Sequence, residues 1–128
     1  MSKRQTIQID GFRHVNPIPA ATRRGPLLIS SVIVGTDAAG KPPDSIEEQC
    51  VLIFRHVRAM LATAGGTPED VVKMEFWVPD RNAGRIVINR EWGEMFPDLN
   101  SLPSRHTHLG SEARMQATFM AYIDPESA

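Results

Sequence analysis

The chain has 128 residues, of which 41% are hydrophobic and 23% charged, a balance that excludes a disordered or collagen-like protein. Its 14 basic and 15 acidic side chains give a net charge of −1, which argues against a nucleic-acid partner. The single Cys50 excludes an internal disulfide, and no stretch of the sequence has the pattern of a signal peptide or the length of a membrane span. We therefore expect one cytoplasmic domain over residues 1–128, with no membrane contact.

The first half of the chain predicts two strands and a long helix. Apolar and polar residues alternate over residues 6–9, which is typical of a short edge strand. Residues 27–34 are apolar on both faces, as in a central strand. Asp44 or Ser45 can cap the following helix, which ends at Gly65. One face of this helix carries apolar residues at helical spacing, namely Ile46, Cys50, Ile53, Val57, Met60 or Leu61, and Ala64, and we assign Cys50 to the core and His56 to the polar side.

The second half predicts a strand, a helix and two more strands, over residues 71–78, 83–96, 104–109 and 114–123. In the first of these strands, one face should carry Val72, Met74, Phe76 and Val78, and the opposite face Val71 and Trp77.

The resulting order, β-β-α-β-α-β-β, predicts an α+β fold with a mixed sheet and two helices packed on one of its faces. The other face would leave Trp77, Met120 and Tyr122 partly exposed to water. Burial against other copies of the chain would remedy this exposure, so we expect an oligomer.

Four stretches of the sequence resemble the Rid/YjgF family. Residues 65–73 (GGTPEDVVK) and 76–80 (FWVPD) together are similar to the family pattern AGxxxxDVVKxxxFVxD. Residues 88–92 (INREW) resemble its VNxxY/W helix, and residues 102–105 (LPSR) resemble the PxR that introduces its active-site arginine. Residues 117–122 (ATFMAY) stand where the family usually has VEIEAIA. The motifs occur in the family's order and spacing, and the resemblance covers residues 16–123.

The resemblance implies a chorismate-mutase-like fold and a homotrimer with clefts between its subunits. It implies the hydrolysis of an enamine or imine, such as 2-aminoacrylate, to a 2-keto acid and ammonia. The substrate is then a small carboxylate-bearing metabolite, and neither a cofactor nor a metal takes part.

Arg105 is the main candidate for both catalysis and substrate binding. A guanidinium is planar and permanently charged, and it can hold a carboxylate through two parallel hydrogen bonds while water attacks. The alternative is a surface arginine on an edge strand. Thr107 lies two residues on and should point to the same side. The resembling proteins often carry cysteine here, and the backbone of this position touches the substrate or its water, so the resemblance implies a catalytic role for Thr107 as well. Thr107 can equally be present for its β propensity alone.

Four further positions are assigned to substrate binding by the resemblance. Ser31 matches the family's strand serine, and Asn89 matches its helix asparagine, although Asn89 can equally cap local backbone. Ile18 stands in place of a tyrosine that often lines the cleft. Thr118, or Gln116 after a two-residue shift, replaces the glutamate that holds the attacking water.

These departures favour a family member whose deamination is slower, altered or absent. Neither Thr118 nor Gln116 can act as a carboxylate base, and Val32 replaces a cleft glycine. A non-catalytic trimeric binder of keto acids is therefore an alternative function. RNA cleavage is a third, which the near-neutral charge and the 6% of aromatic residues argue against.

His106 and His108 should point to the side of the strand opposite Arg105. An H-x-H pair on a strand can bind zinc, but catalytic zinc sites need three protein ligands and structural sites four. The sequence shows no companion cluster close to this pair, so we predict no metal site.

Overall fold

A mixed six-stranded sheet with two helices on one face forms the body of the protein, in a computed structural model that describes residues 3–125. The elements are β1 (Gln5–Ile7), β2 (Ala21–Arg24), β3 (Leu27–Ser30), α1 (Ile46–Ala64), β4 (Val71–Val78), α2 (Arg81–Met95), β5 (Ser104–Leu109) and β6 (Gln116–Tyr122). Their order across the sheet is β1-β2-β3-β6-β4-β5, and all neighbours are antiparallel except β4 and β5. The predicted α+β class is confirmed.

Helix α1 begins and ends where its sequence signals predict. The Ser45 hydroxyl oxygen accepts a hydrogen bond from the Glu48 amide at 3.1 Å, and Gly65 ends the helix with φ of 86°. The predicted apolar face is buried against the sheet from Cys50 to Ala64. The ring of Phe54 stacks on Phe76 of β4, with 5.8 Å between ring centres. Burial of this face anchors α1 to the sheet.

The first turn of helix α2 lies close to the end of β4 because it carries a glycine at the contact. Asp80 caps the helix by accepting a hydrogen bond from the Ala83 amide at 2.9 Å. A Cβ on Gly84 would lie 2.7 Å from Cγ1 of Val78, which is closer than two carbon atoms can approach. Gly84 lowers the helix propensity of this segment, but it permits the approach of α2 to β4.

The predicted alternation in β4 is wrong at its start. The pairing of β4 with β6 shifts register between Val71 and Lys73, which is a β-bulge. As a result Val71 is buried and Val72 is 49% exposed, the reverse of their predicted faces. Beyond the bulge, Met74, Phe76 and Val78 are buried as predicted.

The N-terminal part of the sheet contains one strand more than predicted. Strand β2 pairs with both β1 and β3, and it escaped prediction because three of its four residues, Thr22, Arg23 and Arg24, are polar. The predicted strand over residues 27–34 ends at Ser30, and Ile33 forms only an isolated bridge with Ala117. The order of elements is therefore β-β-β-α-β-α-β-β.

His56 is buried, so its predicted place on the polar side of α1 is wrong. Its side chain is only 4% exposed and stacks on Phe12. Its Nε2 lies 3.0 Å from the carbonyl oxygen of Thr36. Because a carbonyl can only accept, this nitrogen carries the hydrogen. A satisfied imidazole is thus part of the packing between α1 and the segment after β3.

The sheet face that carries no helix, called the open face below, exposes large apolar side chains. Leu27 lies opposite Tyr122 and Ile29 opposite Met120 in the pairing of β3 with β6, and all four are more than 40% exposed. Val72 adds a fifth on β4. The predicted exposure of Met120 and Tyr122 is confirmed, and Trp77 is half-buried. None of the described helices has both the length and the apolar character needed to cross a bilayer.

Candidate functional site

Arg105 lies on β5 and points toward the helices. It pairs with Met74, whose side chain is buried in the core, and directly paired residues in a sheet share a face. Its Nη2 donates a hydrogen bond to Oδ1 of Asn89 at 2.8 Å, and the guanidinium carbon lies 5.1 Å from the centre of the Trp92 ring. Asn89 and Trp92 are three residues apart on α2, so they form one surface of the helix. The half-buried Arg105 is therefore oriented by a hydrogen bond and a cation–π contact.

The electrostatic setting of Arg105 favours an anion. Its pKa is lowered, first because the side chain is removed from water and second because the positive charge of Arg85 is near. Arg85 lies one helical turn before Asn89 on α2 and brings a second guanidinium toward the same place. The hydrogen bond to Asn89 uses one of the five N–H donors of Arg105, and two parallel donors suit a carboxylate.

Thr107 shares the side of Arg105, as predicted. It pairs with the buried Phe76 in the parallel ladder between β4 and β5, and it is half-buried itself. Arg105, Thr107 and Asn89 therefore lie on the helix side of the sheet, around β5 and α2.

Ser31 and Ile18 lie near each other, at a different part of the sheet. The Ser31 hydroxyl donates to the carbonyl oxygen of Pro19 at 2.7 Å, and Ile18 is 41% exposed just before it. Ser31 directly follows β3, and three strand spacings, about 14 Å, separate β3 from β5. Within one chain, a small ligand that contacts Arg105 therefore cannot also contact Ser31.

Thr118 and Gln116 lie on the open face, across the sheet from Arg105. They are two residues apart on β6 and therefore lie on the same face, whichever of them takes the place of the family's glutamate. Thr118 pairs with Glu75 and, with Lys73 and other residues, lines a depression of about 230 Å³. The predicted site residues thus form three groups within one chain.

Sequence reasoning missed two α2 side chains near Arg105. Arg85 and Trp92 lie four residues before and three after the predicted Asn89, and this helical spacing is the signal that could have identified them. Arg105 lines none of five surface depressions of about 230–430 Å³ that the described residues form. The single chain presents the guanidinium at its surface, beside α2.

Comparison with known proteins matches residues 12–116 to the family model described as Endoribonuclease L-PSP. A RutC family protein of Aquifex aeolicus is 27% identical over 103 residues, which are 80% of this chain and 70% of that protein. The crystal structure of RidA from the Antarctic bacterium Psychrobacter is 23% identical with a TM-score of 0.81, covering 93% of this chain and 99% of that one. A Rid family protein of unknown function from Yersinia pestis is 20% identical with a TM-score of 0.81, covering 94% and 99%.

Proposed function

Because this chain belongs to the Rid/YjgF family, which the Endoribonuclease L-PSP model describes, we propose that it binds a small carboxylate-bearing metabolite through Arg105. The observation that carries this proposal is the presentation of Arg105 by Asn89 and Trp92, with Arg85 nearby. An oriented, half-buried guanidinium next to a second positive charge suits a compact anion better than a neutral ligand.

The binding cleft in this proposal lies between copies of a homotrimer. Ser31 and Ile18 of one copy would complete the site of Arg105 on another, because the two groups are too far apart within one chain. Thr118 would face such a cleft from the open face. The exposed apolar side chains of that face supply a surface that another copy can cover. Size-exclusion chromatography with light scattering should give three times the 14.2 kDa chain mass.

The proposed reaction is the hydrolysis of an enamine or imine next to the carboxylate. Water adds to the imine carbon, the carbon–nitrogen bond breaks, and ammonia leaves as the carbonyl of a 2-keto acid forms. Arg105 would hold the substrate carboxylate in place for this attack, and positioning of this kind accounts for much of the barrier lowering in such reactions. The backbone of Thr107, two residues beyond Arg105 on β5, would contact the substrate or its water in this reaction. The reaction as proposed uses neither a cofactor nor a metal.

Ammonia release is the test of the proposed reaction. The protein would be mixed with freshly generated 2-aminoacrylate or a short-chain imine, and ammonia followed with a coupled assay. We expect Arg105→Ala to reduce kcat/KM by roughly 100-fold, which corresponds to the loss of about 3 kcal/mol from a charge-paired contact. Arg58→Ala is the matched control, because Arg58 is an exposed arginine on α1. Equal activity in the two variants would remove Arg105 from the reaction.

One observation favours a second candidate function, the non-catalytic binding of keto acids. Gln116 and Thr118 carry no carboxylate, and the acid opposite Thr118, Glu75, is engaged by His108 and Lys73. A pure binder would be stabilised against heat by 2-keto acids without releasing ammonia from any enamine. Its stabilisation would disappear in Arg105→Ala and persist in Arg58→Ala. Turnover in the ammonia assay would exclude this second candidate.

RNA cleavage is no part of this proposal, although the family model carries the word endoribonuclease. The net charge of −1 and the small aromatic content offer little to the phosphates and bases of a single strand.

We also propose that the protein works in the cytoplasm. Support comes from its lone cysteine, Cys50, whose thiol is fully buried on α1 and has its pKa raised to about 12, mainly by that burial.

A further inference from the structure

Three potential metal ligands meet on the open face at the edge of the sheet. His106 and His108 are two residues apart on β5 and therefore share a face, and Glu75 lies on the neighbouring β4. One ligand atom from each of the three residues can be chosen so that all lie within 4.8 Å of one another. Nε2 of His108 is already 2.8 Å from Oε2 of Glu75, and the two imidazole ring centres are 3.9 Å apart.

The distance between the ligand atoms of Glu75 and His108 is close to the one that a shared ion requires. Ligand atoms about 2.0–2.1 Å from a zinc ion lie roughly 3.3 Å from each other in a tetrahedral arrangement. Nε2 of His108 and Oε2 of Glu75 are 2.8 Å apart, about 0.5 Å closer than this, so they must separate slightly when an ion enters. Nε2 of His108 must then carry no hydrogen, which the other tautomer of the ring provides, and the exposed His106 ring must rotate toward the ion. Two imidazoles and one carboxylate are also the donor types that divalent zinc and its neighbours in the periodic table prefer.

The surroundings hold two of the three groups in place. The Trp77 ring stacks on His108, with ring centres 5.0 Å apart and planes 14° from parallel. Oε2 of Glu75 lies 2.8 Å from Nε2 of His108, and this hydrogen bond holds the carboxylate beside the ring. Lys73 is the competing cation, with Nζ 3.7 Å from Oε1 of Glu75. Its side chain is 42% exposed, so it can turn toward water when an ion binds.

We propose that Glu75, His106 and His108 form a binding site for one divalent transition-metal ion of the zinc type. All three ligands come from one chain, so the site does not require the proposed trimer. A set of three protein ligands leaves a fourth position on the ion for water or another small ligand. The depression beside Glu75, which Thr118 also lines, provides space next to the ion.

Metal binding to the purified protein tests this proposal without any use of its activity. Full-length protein without an affinity tag would be stripped with a chelator and titrated with Co²⁺, whose visible absorption reports its ligands, and with Zn²⁺ by calorimetry. We expect one ion per chain and a Co²⁺ spectrum of four-coordinate geometry with nitrogen ligands. His106→Gln and His108→Gln should each weaken binding by at least about 100-fold, beyond the effect of losing an outer-shell partner.

His14→Gln is the matched control, because it removes a histidine that is outside the cluster. It should leave the ion stoichiometry and affinity unchanged. Thermal melting of every variant without metal would show that the fold is intact, and Glu75→Gln provides a third ligand variant if one histidine variant melts early. Fewer ions than chains, no binding of either metal, or equal binding by His108→Gln and His14→Gln would each overturn the proposal. None of these outcomes bears on ammonia release, so the proposed function is judged separately.

Discussion

The two sides of strand β5 carry different chemistry. On the helix side, Arg105 is fixed by Asn89 and Trp92 of α2, and the resulting site is positive. On the open face, His106 and His108 lie beside Glu75, and the resulting site offers nitrogen and oxygen lone pairs to a cation. Because side chains alternate along a strand, adjacent residues can belong to sites that attract opposite charges. A change on one side should therefore leave the other side intact.

Arg105→Lys should produce the largest functional effect that separates the two sides. Lysine keeps the positive charge but lacks the planar pair of donors, so we expect affinity for a 2-keto acid to fall by about 2 kcal/mol, roughly 30-fold. Calorimetric titration with pyruvate measures the change. Zn²⁺ binding by the same variant should equal that of the unmodified protein. A parallel loss of metal binding would show that the two sides of β5 are coupled.

Gly84→Ala should destabilise the support of the positive side. The added methyl group would meet the β-branched side chain of Val78, which has no flexible end to move away. We expect the free energy of unfolding to fall by about 1–3 kcal/mol, the usual cost of overpacking. Denaturant titration at fixed protein concentration measures it. Gly93→Ala is the matched control, since a Cβ there meets no atom within 4 Å and alanine favours the helix.

The sequence predicted the secondary-structure elements better than it predicted the contacts between them. Both helices, the bounds of β5 and the opposite orientations of Arg105 and His106 followed from caps and periodicity, which are local properties. The approach of Glu75 to His108, which are 33 positions apart, did not, because it depends on the parallel register of β4 with β5. The bulge at Val72 is likewise set by pairing with β6, and no local pattern marks it.

The candidate site shows the same division. Arg105, Thr107 and Asn89 were expected to lie together, and the structure places them around β5 and α2. Ser31 and Ile18 were expected in the same cleft, and the structure places Ser31 three strands away in the sheet. A sequence carries periodicity within one chain, whereas in the proposed trimer the relation between these groups would depend on how copies pack.

Trp92→Leu should have a smaller effect on the positive side. Leucine keeps apolar volume beside Arg105 but removes the aromatic ring, and a partly exposed cation–π contact contributes about 1 kcal/mol. We expect roughly fivefold weaker binding of pyruvate. Ile86→Leu, at an exposed position on the same helix, is the control. Unchanged affinity in Trp92→Leu would mean that Asn89 alone orients the guanidinium.

His56 lies in a third environment, the buried core, and a measurement there tests whether burial controls the charge of a histidine in this chain. Burial lowers the pKa of His56 below its ordinary value of 6.5, and the charge of Arg55 acts in the same direction. The unfolded chain then binds more protons than the folded chain as the pH falls below about 6.5. The stability linked to His56 is therefore complete above that pH and is lost as the pH falls toward the lowered pKa of the folded state.

The measurement is the free energy of unfolding at pH 7.5 and pH 5.0, in the unmodified protein and in His56→Gln. Glutamine can donate to the Thr36 carbonyl as the imidazole does, but it does not titrate. We expect the loss on acidification to be smaller in His56→Gln, while His14→Gln behaves like the unmodified protein. Protein concentration must be held fixed, because an oligomer gains stability by mass action. An equal loss in all three proteins would mean that His56 binds its proton as readily when folded as when unfolded, and that its burial does not control its charge.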